Sequence, residues 1–228
     1  MHIIDDIPFH FETDNFLRKM RVNRDDTQMV ADIDRIVEEV RAVAKPRAAY
    51  REAFVENCDT DSVTIDGVTF PSRVLSRVLE NTERVFAYVA TCGVEADAVR
   101  VTNGDPLLEY FVDMLKEMLV ECAYEFLRNK LEMSYQSGEL SNLSPGSIDA
   151  WPVSGQREMF TLLGDTHSAV GVQLNDSCLM IPVKSVSGLC FSAEKNIESC
   201  KLCSRTPCRG RRAAYDKEMA AEFGVGES

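Results

Sequence analysis

The longest uninterrupted helical pattern in the chain runs over residues 105 to about 134. It opens with Asp105, which can cap a helix, and Pro106, which fits a first turn. At 1.5 Å per residue such a helix is about 45 Å long, so any fold the chain adopts has to be built along it. Glu109, Asp113, Glu117, Glu121 and Glu125 recur every four residues on it, forming an acidic ribbon along one drifting face. A solvated face is the ordinary reading. Like charges at this spacing repel, so the ribbon costs stability unless cations answer it. A carboxylate there could also receive an ammonium group, such as that of an aminoacyl ligand.

Around this helix the pattern is mixed. Phe9 to Phe11 reads as a short strand. Asp25 and Asp26 are caps for an amphipathic helix with Met29, Val30, Ile33, Ile36, Val37, Val40 and Val43 on its apolar face, stopped by Pro46. Residues 49–55 suggest a strand. Asp66-Gly67 between two β-branched runs predicts a tight hairpin. Ser72 caps a short helix, and 85–91 is a continuous apolar run that predicts a buried strand. Residues 136–143 read as a polar linker and 156–163 as a short helix ended by Gly164-Asp165. Cys58, Cys92 and Cys122 sit in apolar surroundings and read as small core residues. His2, His10 and His167 are scattered without ligand spacing, and Trp151 reads as packing.

Composition bounds the function. The chain has 228 residues, 45% hydrophobic and 27% charged, as expected of a globular protein. A net charge of −12 argues against a general nucleic-acid binder or an anionic membrane partner. No apolar run approaches the ~20 residues of a membrane span, and the N-terminus has no basic start followed by an apolar core. Eight Cys without such a leader suggest reduced thiols in a cytoplasm.

Two further stretches carry chemistry. Asn142-Leu143-Ser144-Pro145-Gly146-Ser147 is a turn by composition, able to expose backbone amides. Residues 177–181 and 185–191 read as two strands of an edge hairpin on either side of Pro182, in which Ser185, Ser187 and Gly188 are small enough for a ligand or backbone to approach closely. In this order the pieces resemble the activation domain of cobalamin-dependent methionine synthase, and more closely its small stand-alone relatives. That family has an Arg-x-x-Pro-Gly-Tyr loop followed, after a helix, by Pro-x-x-Ser-Val-Ser-Gly; here the second motif is Pro182-Val183-Lys184-Ser185-Val186-Ser187-Gly188. Upstream, Leu119-Val120-Glu121-Cys122-Ala123-Tyr124-Glu125-Phe126-Leu127 is similar to the family's helix carrying a glutamate that contacts S-adenosylmethionine, a role the resemblance gives to Glu121.

The resemblance implies an α+β fold with a curved, mostly antiparallel sheet flanked by helices over residues 1–194, followed by a cysteine-rich basic tail over 195–228. It implies a ligand site at Glu121, Asn142, Ser144, Pro145, Gly146, Ser185, Ser187 and Gly188. It also implies an accessory role in the reductive activation or remethylation of a corrinoid cofactor, with the cobalamin on a partner protein. Asn142 stands where the family loop has arginine, Ser147 where it has tyrosine or displaced from it by an insertion, since Ile148-Asp149-Ala150-Trp151 follow, and Leu189-Cys190 where an aromatic pair follows the glycine. Asparagine cannot supply the charge with which arginine grips a carboxylate, so weak or absent affinity for S-adenosylmethionine is expected.

In the tail, Cys200, Cys203 and Cys208 lie within nine residues, a spacing compatible with one iron–sulfur cluster or zinc ion. Cys190, at the end of the preceding strand, is the preferred fourth ligand; Cys178, water or substrate are others. Lys201, Arg205, Arg209, Arg211 and Arg212 would offset the charge of a thiolate centre. Reactivating cobalt needs an electron, which a cluster can carry and zinc cannot. Alternatives to the accessory role are therefore an iron–sulfur electron carrier or reductase on the same fold, and a non-catalytic module with structural zinc.

Overall fold

The computed structural model describes residues 1–99, 104–208 and 211–225. A short strand β1 (His2–Ile4) leads to helices α1 (Thr13–Met20) and α2 (Thr27–Val43), the latter started by Asp26 accepting from the Met29 amide. Residues 9–11 are irregular rather than a strand, because Phe11 is drawn into the helical core beside α1 and α2. Next come β2 (Arg47–Cys58) and the hairpin β3 (Val63–Ile65) and β4 (Val68–Phe70). Its turn places Asp66 and Gly67 at φ 44° and 77°, as a two-residue hairpin requires. Ser72 caps α3 (Arg73–Leu79), and β5 (Arg84–Thr91) follows. Asp105 accepts from the Leu107 and Leu108 amides to start α4 (Pro106–Tyr135). The 136–143 linker contains strand β6 (Ser141–Leu143). Then come α5 (Gln156–Leu163), α6 (Thr166–Val170), β7 (Gln173–Leu174), β8 (Met180–Ile181), β9 (Ser185–Phe191), α7 (Ser199–Leu202) and α8 (Lys217–Glu222).

Seven strands form one sheet in the order β4-β3-β2-β5-β9-β6, with β1 added on β2, and each of its ladders is antiparallel. The fold is α+β with a mostly antiparallel sheet flanked by helices, but the expected curvature is corrected: no sheet is strongly curled. The burial pattern supplies a physical reason. Curling encloses one face of a sheet, whereas here both faces are covered by separate layers. Ala49, Ala53, Val85, Ala87, Val89, Leu189 and Phe191 face a core with α3, α5 and α8. Ala48, Tyr50, Phe86, Tyr88, Ala90 and Cys190 face the C-terminal half of α4 through Ala123, Tyr124, Leu127 and Leu131. The N-terminal half of α4 leaves the sheet and packs on α1 and α2.

The expected 177–191 hairpin is also corrected. β8 pairs with β7 in a separate two-stranded sheet, while β9 lies between β5 and β6. Pro182 has no amide to donate, and the chain uses that interruption to pass from one sheet to the other. The acidic ribbon is answered by cations from elsewhere. Lys184 lies 2.9 Å from Asp113 and 3.4 Å from Glu117, and Glu121 faces Lys19 at 3.6 Å and Arg212 at 3.5 Å. Among the described residues no helix is long and apolar enough to cross a membrane.

Phe191 is fully buried between β5 and β6. Phe191→Ala should therefore cost about 3–5 kcal/mol, read as a lower urea midpoint at unchanged slope. A loss below about 1 kcal/mol would contradict the interior position of β9 between β5 and β6.

Candidate functional site

Two tyrosines in a core need partners for their hydroxyls, and the site grows from that need. Tyr88 projects from β5 and Tyr124 from α4 toward the same space, their rings 5.2 Å apart. Asn142 of β6 stands opposite Cys190 of β9 in the ladder. Its side-chain amide donates to the Tyr88 hydroxyl at 2.6 Å and the Tyr124 hydroxyl at 2.7 Å. An asparagine amide has two hydrogens, so both are committed within the protein. The Ser144 hydroxyl lies 3.3 Å from that of Tyr88. Gly188 pairs with Tyr88 across the β5–β9 ladder, and a Cβ there would stand 2.5 Å from the Leu143 carbonyl oxygen and 2.7 Å from Ser144 Oγ. The absence of a side chain at 188 is what lets the 142–144 segment close over the sheet.

Above this cluster opens a cavity of about 400 Å³, within the size range of small-ligand sites. Its rim comes from three parts of the chain: the 144–147 turn, Arg128 on α4, and Glu198, Ser199, Cys200 and Arg212 from the C-terminal segment. Ser199 ties two of these together, since its hydroxyl accepts from the Ser144 amide at 3.3 Å and lies 3.0 Å from that of Ser147. Arg128 is engaged by Glu132 at 2.9 Å and Glu139 at 3.2 Å. Arg212 is 58% exposed and held by Glu121. Burial pushes the Tyr88 and Tyr124 phenols well up and raises the Cys190 thiol to about 12, so all three are neutral hydrogen-bonding groups at physiological pH.

The residues expected from the sequence are distributed unevenly. Asn142 and Ser144 line the cavity, and Gly188 lies in the strand beside them. Pro145 is buried in the turn and Gly146 is exposed at φ 81°, its amide donating to the Trp151 carbonyl at 2.7 Å. Ser185 and Ser187 project from the opposite face of β9. Ser187 is buried and donates to Gln156 Oε1 at 2.6 Å, and the Ser185 hydroxyl lies 2.9 Å from that of Thr91. Glu121 stands outside the cavity and reaches it only through Arg212. Tyr88, Tyr124, Arg128, Ser199 and Arg212 were not anticipated as site residues. The available signal was a tyrosine in the apolar run of β5, whose hydroxyl must find a partner.

The expected metal centre is corrected. Among the described residues no group of three or more His, Cys, Asp or Glu is arranged to hold a metal ion, so neither an iron–sulfur cluster nor zinc fits Cys200, Cys203, Cys208 and Cys190. Cys190 is buried on the α4 face of the sheet, Cys203 packs against the core of the other face, and Cys208 is exposed. Cys178, the other proposed ligand, is buried, beside the β7–β8 sheet. Where a metal was expected to organise the cysteine loop, the Arg211 guanidinium does so. It donates to the carbonyls of Cys200 at 3.0 Å, Cys203 at 3.1 Å, Arg205 at 2.6 Å and Ala213 at 3.3 Å. Arg209 lies outside the described residues.

Among solved structures, the chain is similar to the MetH reactivation domain bound to AdoHcy. The TM-score is 0.54 at 18% identity, over 81% of this chain and 70% of that one. At this identity the likeness is one of fold. No protein-family model matches the chain, and no curated protein does.

The buried acids set an alkaline limit. Folding holds Cys190, Tyr88 and Tyr124 neutral above their ordinary values, while the unfolded chain ionises near those values. Their contribution is therefore complete below the ordinary thiol value of 9.0 and is lost as pH rises toward about 12. Unfolding free energy from urea titrations should fall with pH across that window, and Tyr124→Phe should make the fall shallower at its upper end. An identical slope in the variant would count against burial of the phenol.

Proposed function

We propose that the chain is an accessory protein for a corrinoid-dependent methyltransferase, assisting the reductive activation or remethylation of a corrinoid carried by a partner. One coincidence supports this reading. The fold resembles the MetH reactivation domain, and Gly188 of the matching Pro-x-x-Ser-Val-Ser-Gly motif lies beside a small-ligand cavity lined by Asn142 and Ser144, from the loop that stands where that family has Arg-x-x-Pro-Gly-Tyr. In such a role the fold presents a ligand to the partner's cofactor, and the cofactor carries the difficult chemistry.

The cavity's own chemistry sets the ligand terms. Arg212 and Glu198 on its rim offer a cation and a carboxylate to a zwitterionic aminoacyl end, such as that of AdoHcy, the ligand in the similar structure. The Asn142 amide hydrogens are taken by the two tyrosines and Arg128 is held by Glu132 and Glu139, so Arg212 is left as the partner for a carboxylate. An exposed arginine already shared with Glu121 contributes little, which argues for weak binding.

Calorimetric titration with AdoHcy should give a weak isotherm that Arg212→Ala weakens severalfold further and that Asn142→Ala leaves nearly unchanged apart from lower protein stability. Loss of binding in Asn142→Ala with none in Arg212→Ala would reverse the assignment.

The role itself is tested with a corrinoid protein in its cob(II)alamin state, titanium(III) citrate as one-electron donor and S-adenosylmethionine as methyl donor. Adding the chain should accelerate formation of the methylated corrinoid, followed by visible absorbance. No acceleration, together with no AdoHcy binding at millimolar concentration, would sink the proposal.

A further inference from the structure

Cys200-Lys201-Leu202-Cys203 is left without a role once a metal is set aside. The other cysteines contrast with it. Burial raises the thiols of Cys58 and Cys122, raises Cys92 to about 11 and Cys190 to about 12, and Cys178 is buried. Such thiols are protonated at neutral pH or screened from reagents. Cys200 and Cys203 are both free and partly exposed.

We propose that Cys200 and Cys203 form a redox-active dithiol that closes reversibly to a disulfide and, in closing, alters the cavity that Cys200 lines. The inference rests on the geometry of the C-terminal segment and not on the corrinoid reading.

The backbone already brings the pair together. The Cys203 amide donates to the Cys200 carbonyl at 3.4 Å, closing a single turn at the end of α7. Residues joined by such a bond have Cα atoms within about 7 Å, against the roughly 4.4–6.8 Å that disulfides span. The turn is held by the Arg211 guanidinium, which donates to the carbonyls of both cysteines at 3.0 and 3.1 Å. A planar fork anchored at both ends fixes their relative positions. Arg212 adds a backbone amide 3.4 Å from Cys200 Sγ.

The reaction needs a disulfide-bearing oxidant, and glutathione disulfide serves. One protein thiolate attacks a glutathione sulfur and expels the first glutathione. The second protein thiolate then attacks the mixed disulfide and expels the other. The protein loses two electrons, glutathione disulfide gains them, and the two thiol hydrogens end on the two glutathiones released.

The coupling to the cavity is direct. Ser199, adjacent to Cys200, receives the Ser144 amide and contacts the Ser147 hydroxyl. Turning the Cys200 side chain toward Cys203 to meet disulfide torsions takes its sulfur away from the Arg212 amide. It also shifts the α7 turn from which Ser199 holds residues 144–147.

The full chain is equilibrated in glutathione buffers of graded ratio, its free thiols are alkylated, and it is digested with trypsin. Cleavage after Lys195, Lys201, Arg205 and Arg209 separates Cys200 in 196–201, Cys203 in 202–205 and Cys208 in 206–209. The expected product is 196–201 joined to 202–205, reversed by dithiothreitol. Hydrogen exchange of the intact protein should be faster over 144–147 in the oxidised form. Cys58→Ser should retain both effects, and Cys203→Ser should lose both. If Cys203→Ser does not fold, the oxidised and reduced wild-type forms still decide the question. A crosslink to 206–209 instead, glutathione adducts alone, or no crosslink would overturn the pair. Unchanged exchange over 144–147 in a crosslinked protein would overturn its link to the cavity.

Discussion

The ladder between β5 and β9 is the constraint on which the rest of the structure depends. It lies inside the sheet, flanked by β2 and β6, and is covered on both faces, so every group on it must be apolar, absent or satisfied. Val85, Ala87, Val89, Leu189 and Phe191 meet the first condition. Gly188 meets the second, and the space it leaves admits the 142–144 segment. Tyr88 and Ser187 meet the third, through Asn142 on one face and Gln156 on the other. The polar cluster at the base of the cavity is thus a product of core packing. Asn142 is there because two buried phenols need a donor, and the same demand removes it from ligand binding.

Helix α4 turns that local arrangement into one molecule. Its first half completes a helical core with α1 and α2, and its second half covers the sheet and delivers Tyr124 and Arg128 to the cavity. The acidic ribbon between these tasks is tied down by Lys184, Lys19 and Arg212, from three distant parts of the chain. These are partly exposed pairs, each worth about 1 kcal/mol or less. Their effect is more on register than on stability: Arg212 draws the C-terminal segment across the cavity and Lys184 sets the chain entering β9. In that segment Arg211 does by hydrogen bonds what a metal would do by coordination, gathering four carbonyls into one turn. The thiols of Cys200 and Cys203 stay unbridged.

Local rules read from the sequence reached far into this protein because they act over a few residues. Asp26, Ser72 and Asp105 cap helices, Asp66-Gly67 turns a hairpin, and the apolar run of β5 is a buried strand, since capping, turn torsions and hydrophobic periodicity are decided within one or two turns of chain. The order of motifs from Glu121 to Gly188 also pointed to a fold that the structural likeness supports. Tertiary structure decided what distant segments do to one another. It put β9 inside the main sheet, between β5 and β6, and β8 in another, because pairing depends on which edges meet and not on the strand's own sequence. It kept the sheet from strong curling, with layers on both faces. It separated Cys190 from Cys203 by the thickness of that sheet, although both lie near one end of the sequence, and so dissolved a metal site that spacing alone allowed. And it moved the cation at the cavity from the loop, where Asn142 is occupied by Tyr88 and Tyr124, to Arg212 some seventy residues later.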